Sequence, residues 1–274
     1  MASSIFRLDR ASVVYRAAPH AVAALREVRL SALSGEWICL LGRNGSGKST
    51  LVRAWAGLIP LSRGSMESAL GGRVPIVMQD PESQLIGDTV YEDIAFGLEN
   101  AAADPAAMEP AARAALRRVG LDVPLNYPTR ALSAGQKQLL AIASCLALQP
   151  KALLLDEPTA MLDPLARKRV LAAVRDLHRS GATIVWATQL LEEIEGNDRI
   201  VALENGEIRF DGTARRFFYD GDDPAGPGPC ERLGFPPPLP VRTAKALCKR
   251  GRRLPSLPVS ADDLSEAVSR LCRS

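Results

Sequence analysis

The stretch "EWICLLGRNGSGKSTLVRAWAGL" (residues 36–58) decides the fold. A short apolar run stops at Gly42, and a helical pattern follows from Ser49. Between them "GRNGSGKST" (Gly42–Thr50) fits G-x-x-x-x-G-K-[ST], in the strand-then-helix setting that this motif requires. Glycines let backbone N–H groups turn inward around phosphate oxygens. Lys48 can reach the β- and γ-phosphates of a nucleotide, and Ser49 can offer its hydroxyl to Mg²⁺. The helix N-terminus adds a favourable dipole. Gly42, Asn44, Gly45, Gly47, Lys48, Ser49 and Thr50 are therefore the candidate phosphate-loop contacts.

Two further strand ends carry polar groups. "KALLLDEP" (151–158) places Asp156 and Glu157 at the end of an apolar run. Carboxylates at strand ends are often only solvated, but beside a phosphate loop they gain a use. Asp156 can hold Mg²⁺ through water, and Glu157 can poise the attacking water as general base. "GATIVWATQLLEE" (181–193) is another buried-strand pattern, and it delivers one amide, Gln189, to its tip. An acidic helix is expected to begin just after it. Gln189 either faces a γ-phosphate or caps that helix.

Working outward, "IFRLDRASVVY" and "LREVRLSAL" alternate as half-exposed antiparallel strands do. "VPIVMQ" (74–79) reads as one more buried strand. Helical patterns fill "PAARAALRRVGL", "AGQKQLLAIASCLAL" and "PLARKRVLAAVRDLHRSG", and a hairpin is expected at Asn205-Gly206. Buried strands alternating with helices predict an α/β fold with a parallel core sheet and an antiparallel β-subdomain at the N-terminal end. After Asp220 a Pro- and Gly-rich linker precedes two short helices, the second starting at Ser260 with an acidic first turn. The basic cluster Lys249, Arg250, Arg252 and Arg253 reads as a solvated helix end rather than a lipid or nucleic-acid contact.

The 274 residues are 47% hydrophobic and 24% charged, which is ordinary for a globular chain. A formal charge of +3 does not by itself imply nucleic acid. Five scattered cysteines and two histidines argue against zinc and fit a reducing compartment. Neither a signal peptide nor an apolar run long enough to span a membrane is visible.

"LSAGQKQLLAIASCLALQPKALLLDEPTAMLD" (132–163) narrows the nucleotide chemistry. Ser133, Gly135 and Gln136 stand at the mouth of a helix and form a second phosphate-binding end. Two chains packed head to tail would bring that end to the partner's phosphate loop. Here the chain resembles the ABC ATPase family. The resemblance implies that Tyr15 stacks on adenine, that Gln79 reaches Mg²⁺ and water, and that Asp163 lies at the dimer interface. It implies an ABC nucleotide-binding domain over 1–220, with a helical signature subdomain at about 85–150, and a C-terminal extension over 221–274. Two departures stand out. The signature is "LSAGQ", with Ala134 in place of glycine, and Gln189 stands where the family normally has histidine.

"QDPESQLIGDTVYEDIAFGLEN" (79–100) and the tail resemble the energy-coupling factor ATPases, which drive vitamin and transition-metal uptake. That likeness implies ATP hydrolysis with Mg²⁺ by a peripheral subunit on the cytoplasmic face of the membrane. It implies a second ATPase chain, identical or different, a transmembrane coupling protein and a substrate-capturing membrane subunit, with no nucleic-acid partner. Residues 79–98 would line the docking groove, or Leu85, Ile86 and Phe96 would be core of the helical subdomain. Two other readings stay open: an ATPase subunit of another multi-subunit ABC transporter, and a soluble ABC clamp on nucleic acid or protein.

Overall fold

The computed structural model describes residues 4–17, 20–70, 74–219, 223–252 and 254–271. Strands β1 (Ser4–Ala17) and β2 (His20–Leu33) pair antiparallel, and β4 (Arg63–Ser68) adds to β1 from the other side. The second sheet runs β5-β6-β7-β3-β8-β9. It comprises β3 (Trp37–Leu41), β5 (Ile76–Val77), β6 (Ala152–Asp156), β7 (Thr183–Thr188), β8 (Arg199–Glu204) and β9 (Glu207–Thr213). Its first five members pair parallel, and β9 returns antiparallel through the Asn205-Gly206 turn. Asn205 and Gly206 both have positive φ, 53° and 80°, as a tight primed turn requires.

Strands β3, β6 and β7 are wholly buried because both faces of the sheet are covered. Side chains alternate between two cores. Ile38, Leu40, Leu154, Val185 and Val201 pack with the antiparallel sheet and with Leu51, Val52 and Trp55 of α1 (Lys48–Trp55). Cys39, Leu41, Leu155, Trp186 and Ile200 face the helical layer. That layer contains α2 (Val90–Asn100), α3 (Pro105–Val119), α4 (Ala134–Ala147) and α5 (Pro164–Arg179). Because β6, β7 and β3 are adjacent and parallel, their C-terminal ends open onto one crevice, where ligands of such sheets bind.

The sequence reading differs from the structure at several elements. The "VPIVMQ" strand contracts to two residues. Helix α2 falls inside the expected helical subdomain although no helical pattern marks it; it is set by a capping box in which Glu92 N donates to Thr89 Oγ1 and Thr89 N to Glu92 Oε2. Strand β4 is exposed along most of its length, so it has no apolar alternation to read. The acidic helix after Gln189 is a single 3₁₀ turn, Leu191–Glu193.

The C-terminal segment returns to the helical-layer core. It contains α6 (Ala214–Phe218), α7 (Pro229–Arg232), α8 (Leu239–Lys249) and α9 (Ala261–Leu271). Cys230, Val241, Ala244, Val259 and Ala267 are buried there, and the Tyr219 hydroxyl donates to Pro258 O at 2.5 Å. Ser260 precedes α9, with its Oγ accepting from Asp263 N at 3.1 Å. Lys249, Arg250 and Arg252 are exposed; Arg253 lies outside the described residues. The segment also touches the phosphate loop, where Arg43 Nη2 donates to Gly234 O at 2.7 Å. Gly234 has φ +75°, and a Cβ there would lie 2.5 Å from that nitrogen.

Candidate functional site

The loop after β3 turns at glycine because no side chain fits its path. Gly47 has φ +108°, and a Cβ on it would sit 2.5 Å from Ala24 O. The β8–β9 turn supports the loop from outside, with Gly206 N donating to Ser46 O at 2.9 Å. Lys48 is 4% exposed, and its Nζ donates to Gly42 O at 2.7 Å. The same ammonium lies 3.2 Å from Glu157 Oε1.

Five of the expected residues converge here. Gln189 Nε2 donates to Glu157 Oε1 at 2.7 Å and to Asn44 Oδ1 at 2.8 Å. Gln79 Nε2 donates to Glu157 Oε2 at 3.4 Å. Glu157 is thus surrounded by donors from three separate segments, while its backbone holds φ +49°, a left-handed value rare for a glutamate. The helix-cap role for Gln189 does not hold. The turn that follows is preceded by Leu190 and has no side-chain cap hydrogen bond.

Asp156 is fully buried at the end of β6, and neither carboxylate oxygen has a hydrogen-bond partner. Burial pushes its carboxyl above the ordinary aspartate value. Ser49 offsets part of this, close enough to act on the carboxylate without a well-formed hydrogen bond. A buried, unpartnered carboxylate beside a hydroxyl is a hard-oxygen donor set that suits Mg²⁺.

The cleft itself has a volume of about 520 Å³ and is lined by Asn44–Thr50, Gln79 and Glu157. Val22, Ala23, Ala24, Arg26 and Asn205 complete it, and no motif pointed to them. They come from the antiparallel sheet and the hairpin, so only tertiary structure brings them in. Tyr15 OH is 3.3 Å from Thr50 Oγ1, which sets the ring, 41% exposed, at the edge of the loop–helix junction.

Ser133, Gly135, Gln136 and Asp163 do not line this cleft. Ser133 Oγ accepts from Gln136 N at 3.3 Å, and Gln136 Oε1 accepts from Ser133 N at 2.9 Å, a capping box at the start of α4. Ala134 is the first residue of α4 and has no positive φ, so its methyl costs no backbone strain. Asp163 is exposed and caps α5, accepting from Leu165 N and Ala166 N at 2.8 and 3.0 Å. The Ala166 and Leu165 amides hold its carboxyl below the usual aspartate value.

The ABC transporter family profile matches residues 25–160. An energy-coupling factor transporter ATP-binding protein of Symbiobacterium thermophilum is 39% identical over 261 residues, covering 90% of this chain and 89% of the relative. The chain belongs to this ABC ATPase family. A relative of the same designation from Methanosarcina acetivorans is 35% identical and covers 98% of both chains. Among solved structures, cbiO1 from Clostridium perfringens, described as part of the ABC transporter complex cbiONQ, aligns with TM-score 0.64 at 29% identity. That alignment covers 78% of this chain and 90% of cbiO1. An ATP-binding cassette dimer bound to ADP and phosphate aligns with TM-score 0.70 at 25% identity, covering 77% and 99%. As a family member this chain is an ATP-hydrolysing ABC protein. Among the described residues no helix is long and apolar enough to cross a membrane.

Proposed function

We propose that the chain hydrolyses Mg-ATP at the Lys48–Glu157–Gln189 cluster and powers an energy-coupling factor importer for a vitamin or a transition metal ion. The observation that carries this reading is the Glu157 carboxylate, held between Lys48 Nζ and Gln189 Nε2 at 3.2 and 2.7 Å. In the proposed reaction Lys48 and the loop amides of Gly45–Thr50 hold the β- and γ-phosphates. Glu157 accepts a proton from the attacking water. Gln189 orients that water and the γ-phosphate, donating through its amide and accepting through its carbonyl. Mg²⁺, held by Ser49, Asp156 and Gln79, would neutralise charge building on the phosphate oxygens. Tyr15 stacks on the base at the rim.

Ser133 is exposed, Gly135 and Gln136 are half-buried, and Ser133 and Gln136 cap each other, which suits a contact made in trans. The reading therefore includes a second ATPase chain, head to tail, with Asp163 at the shared face. The 1–220 unit hydrolyses ATP, and the extension over 221–274 accompanies it. Ile86 and Phe96, 67% and 47% exposed in the segment that follows Gln79 in the chain, leave apolar surface for a transmembrane coupling protein at the cytoplasmic face of the membrane.

The test is purification of the tagged chain from its own membranes in mild detergent, with ATPase assay of the parent and of Lys48→Ala. The expected outcome is a co-purifying polytopic membrane protein and ATP turnover that Lys48→Ala abolishes. Recovery with nucleic acid, lost steeply as salt rises, would overturn the transporter reading.

A further inference from the structure

Glu193 belongs to none of the motifs above. Its side chain is buried, 7% exposed, in the turn after β7. Three neutral donors meet it. Trp186 Nε1 and Thr188 Oγ1 donate to Oε2 at 2.8 and 2.7 Å, and Thr159 Oγ1 donates to Oε1 at 2.5 Å.

Two of those donors flank the proposed reacting groups. Thr188 precedes Gln189, and its Oγ1 also accepts from Leu190 N at 3.0 Å. One hydroxyl therefore fixes the backbone on both sides of Gln189. Thr159 stands two positions after Glu157, on the loop that holds Glu157 at φ +49°. The Gln189–Glu157 hydrogen bond spans the gap between β7 and β6 on the cleft side. Glu193 joins the same two segments through Thr188 and Thr159.

We infer that Glu193 is a positioning residue. Through Thr188 and Thr159 it clamps the β7 tip to the loop after β6 and so sets the contact between Gln189 and Glu157. The inference rests on the proposed roles of those two residues. A carboxylate suits the task because it accepts on both oxygens, and all three neighbours can donate. A leucine would leave three donors unpaired. A glutamine has one forced orientation. Trp186 can only donate, so the amide oxygen must stay on its side, shared with Thr188. The amide nitrogen then turns to Thr159, whose hydroxyl accepts instead.

The test measures single-turnover hydrolysis, Mg-ATP Kd and thermal midpoint on the full chain. The variants are Thr188→Val, Thr159→Val, Glu193→Gln, Glu193→Leu and Gln189→Ala, plus Thr188→Val combined with Gln189→Ala. Thr188→Val and Thr159→Val should each slow hydrolysis about tenfold, with Kd unchanged within about twofold, because only reacting-group alignment is lost. Glu193→Gln should retain most of the rate that Glu193→Leu loses. In the Gln189→Ala background, Thr188→Val should cost nothing further, since it acts through Gln189. Parental rates in both valine variants, even with a lowered thermal midpoint, would show that the network serves stability alone. Equal slowing with and without Gln189 would overturn the clamp. A parental rate in Gln189→Ala would instead remove the proposed role of Gln189, and the clamp with it.

Discussion

Replacing Glu157 by glutamine should do two opposite things to this ATPase. Glu157 meets donors on both oxygens: Lys48 and Gln189 at Oε1, Gln79 at Oε2. A glutamine can keep its carbonyl towards Lys48 and Gln189 and turn its amide to Gln79, which can flip to accept. The shape of the site survives, and the charge does not. Without a carboxylate to take the water's proton, turnover should fall by about 10²–10⁴-fold. Lys48, 4% exposed, also loses its anionic partner. At 3.2 Å the bare attraction at an effective dielectric near 20 is about 5 kcal/mol. Most of that is offset by hydration, and a hydrogen bond to a charged group nets about 1.5–3 kcal/mol. Phosphate no longer competes with Glu157 for the ammonium, nor is it repelled by it. The Mg-ATP Kd should therefore fall by about 10–100-fold. Fluorescence titration with a nucleotide analogue gives the Kd, and quenched-flow single turnover gives the rate. Weaker nucleotide binding in Glu157→Gln would refute the competition for Lys48, and an unchanged rate would refute the base.

Three further outcomes are expected. Asp198→Ala removes the two 2.7 Å hydrogen bonds that hold Arg175 against Trp37 and leaves the more exposed Glu195, at 3.3 Å, as its anionic partner. Breaking such a buried pair should cost about 3–5 kcal/mol, read by calorimetry as a Tm loss of about 10 °C. Asp156 has a folded-state pKa raised by burial, so its contribution to stability is greatest when protonated. That contribution is lost as pH rises from the ordinary aspartate value through the folded value. Asp156→Asn should thus gain denaturation midpoint relative to the parent as pH rises from about 4 towards 7, without Mg²⁺; a difference flat in pH would contradict the burial argument. Ser133→Arg should leave nucleotide binding to the single chain intact while abolishing ATP-dependent dimerisation in light scattering, and an ATP-dependent dimer of this variant would contradict the trans contact.

What was legible in the sequence is what local chemistry dictates. The phosphate loop needs glycine, lysine and a hydroxyl in a fixed order between a strand and a helix, and those constraints are written in consecutive residues. Asp156, Glu157 and Gln189 were readable because polar groups ending apolar runs are conspicuous. Their convergence follows from the adjacency of β6, β7 and β3. Less legible were elements whose stability comes from elsewhere. Helix α2 contains Gly97 and gains its start from the Thr89–Glu92 box. Strand β4 is held by pairing to β1, not by its own pattern. The acidic stretch after Gln189 looked helical because Glu192 and Glu193 resemble a solvated first turn. Glu193 instead turns inward to Trp186, Thr188 and Thr159, which no periodicity reveals. Arg26 and Asn205 reach the cleft only through the packing of the antiparallel sheet and the hairpin against the loop.

The hydrogen bond from Arg43 to Gly234 bears on how this protein can be shortened. A designer seeking a minimal ATPase would cut near residue 220, where the Pro- and Gly-rich composition begins. Such a cut would strip the acceptor from a phosphate-loop arginine and uncover Phe217, Phe218 and Tyr219, all buried in the full chain. The truncated product would be a different enzyme, with a looser nucleotide loop and a sticky apolar face. Kinetic constants taken from it would not transfer to the 274-residue chain.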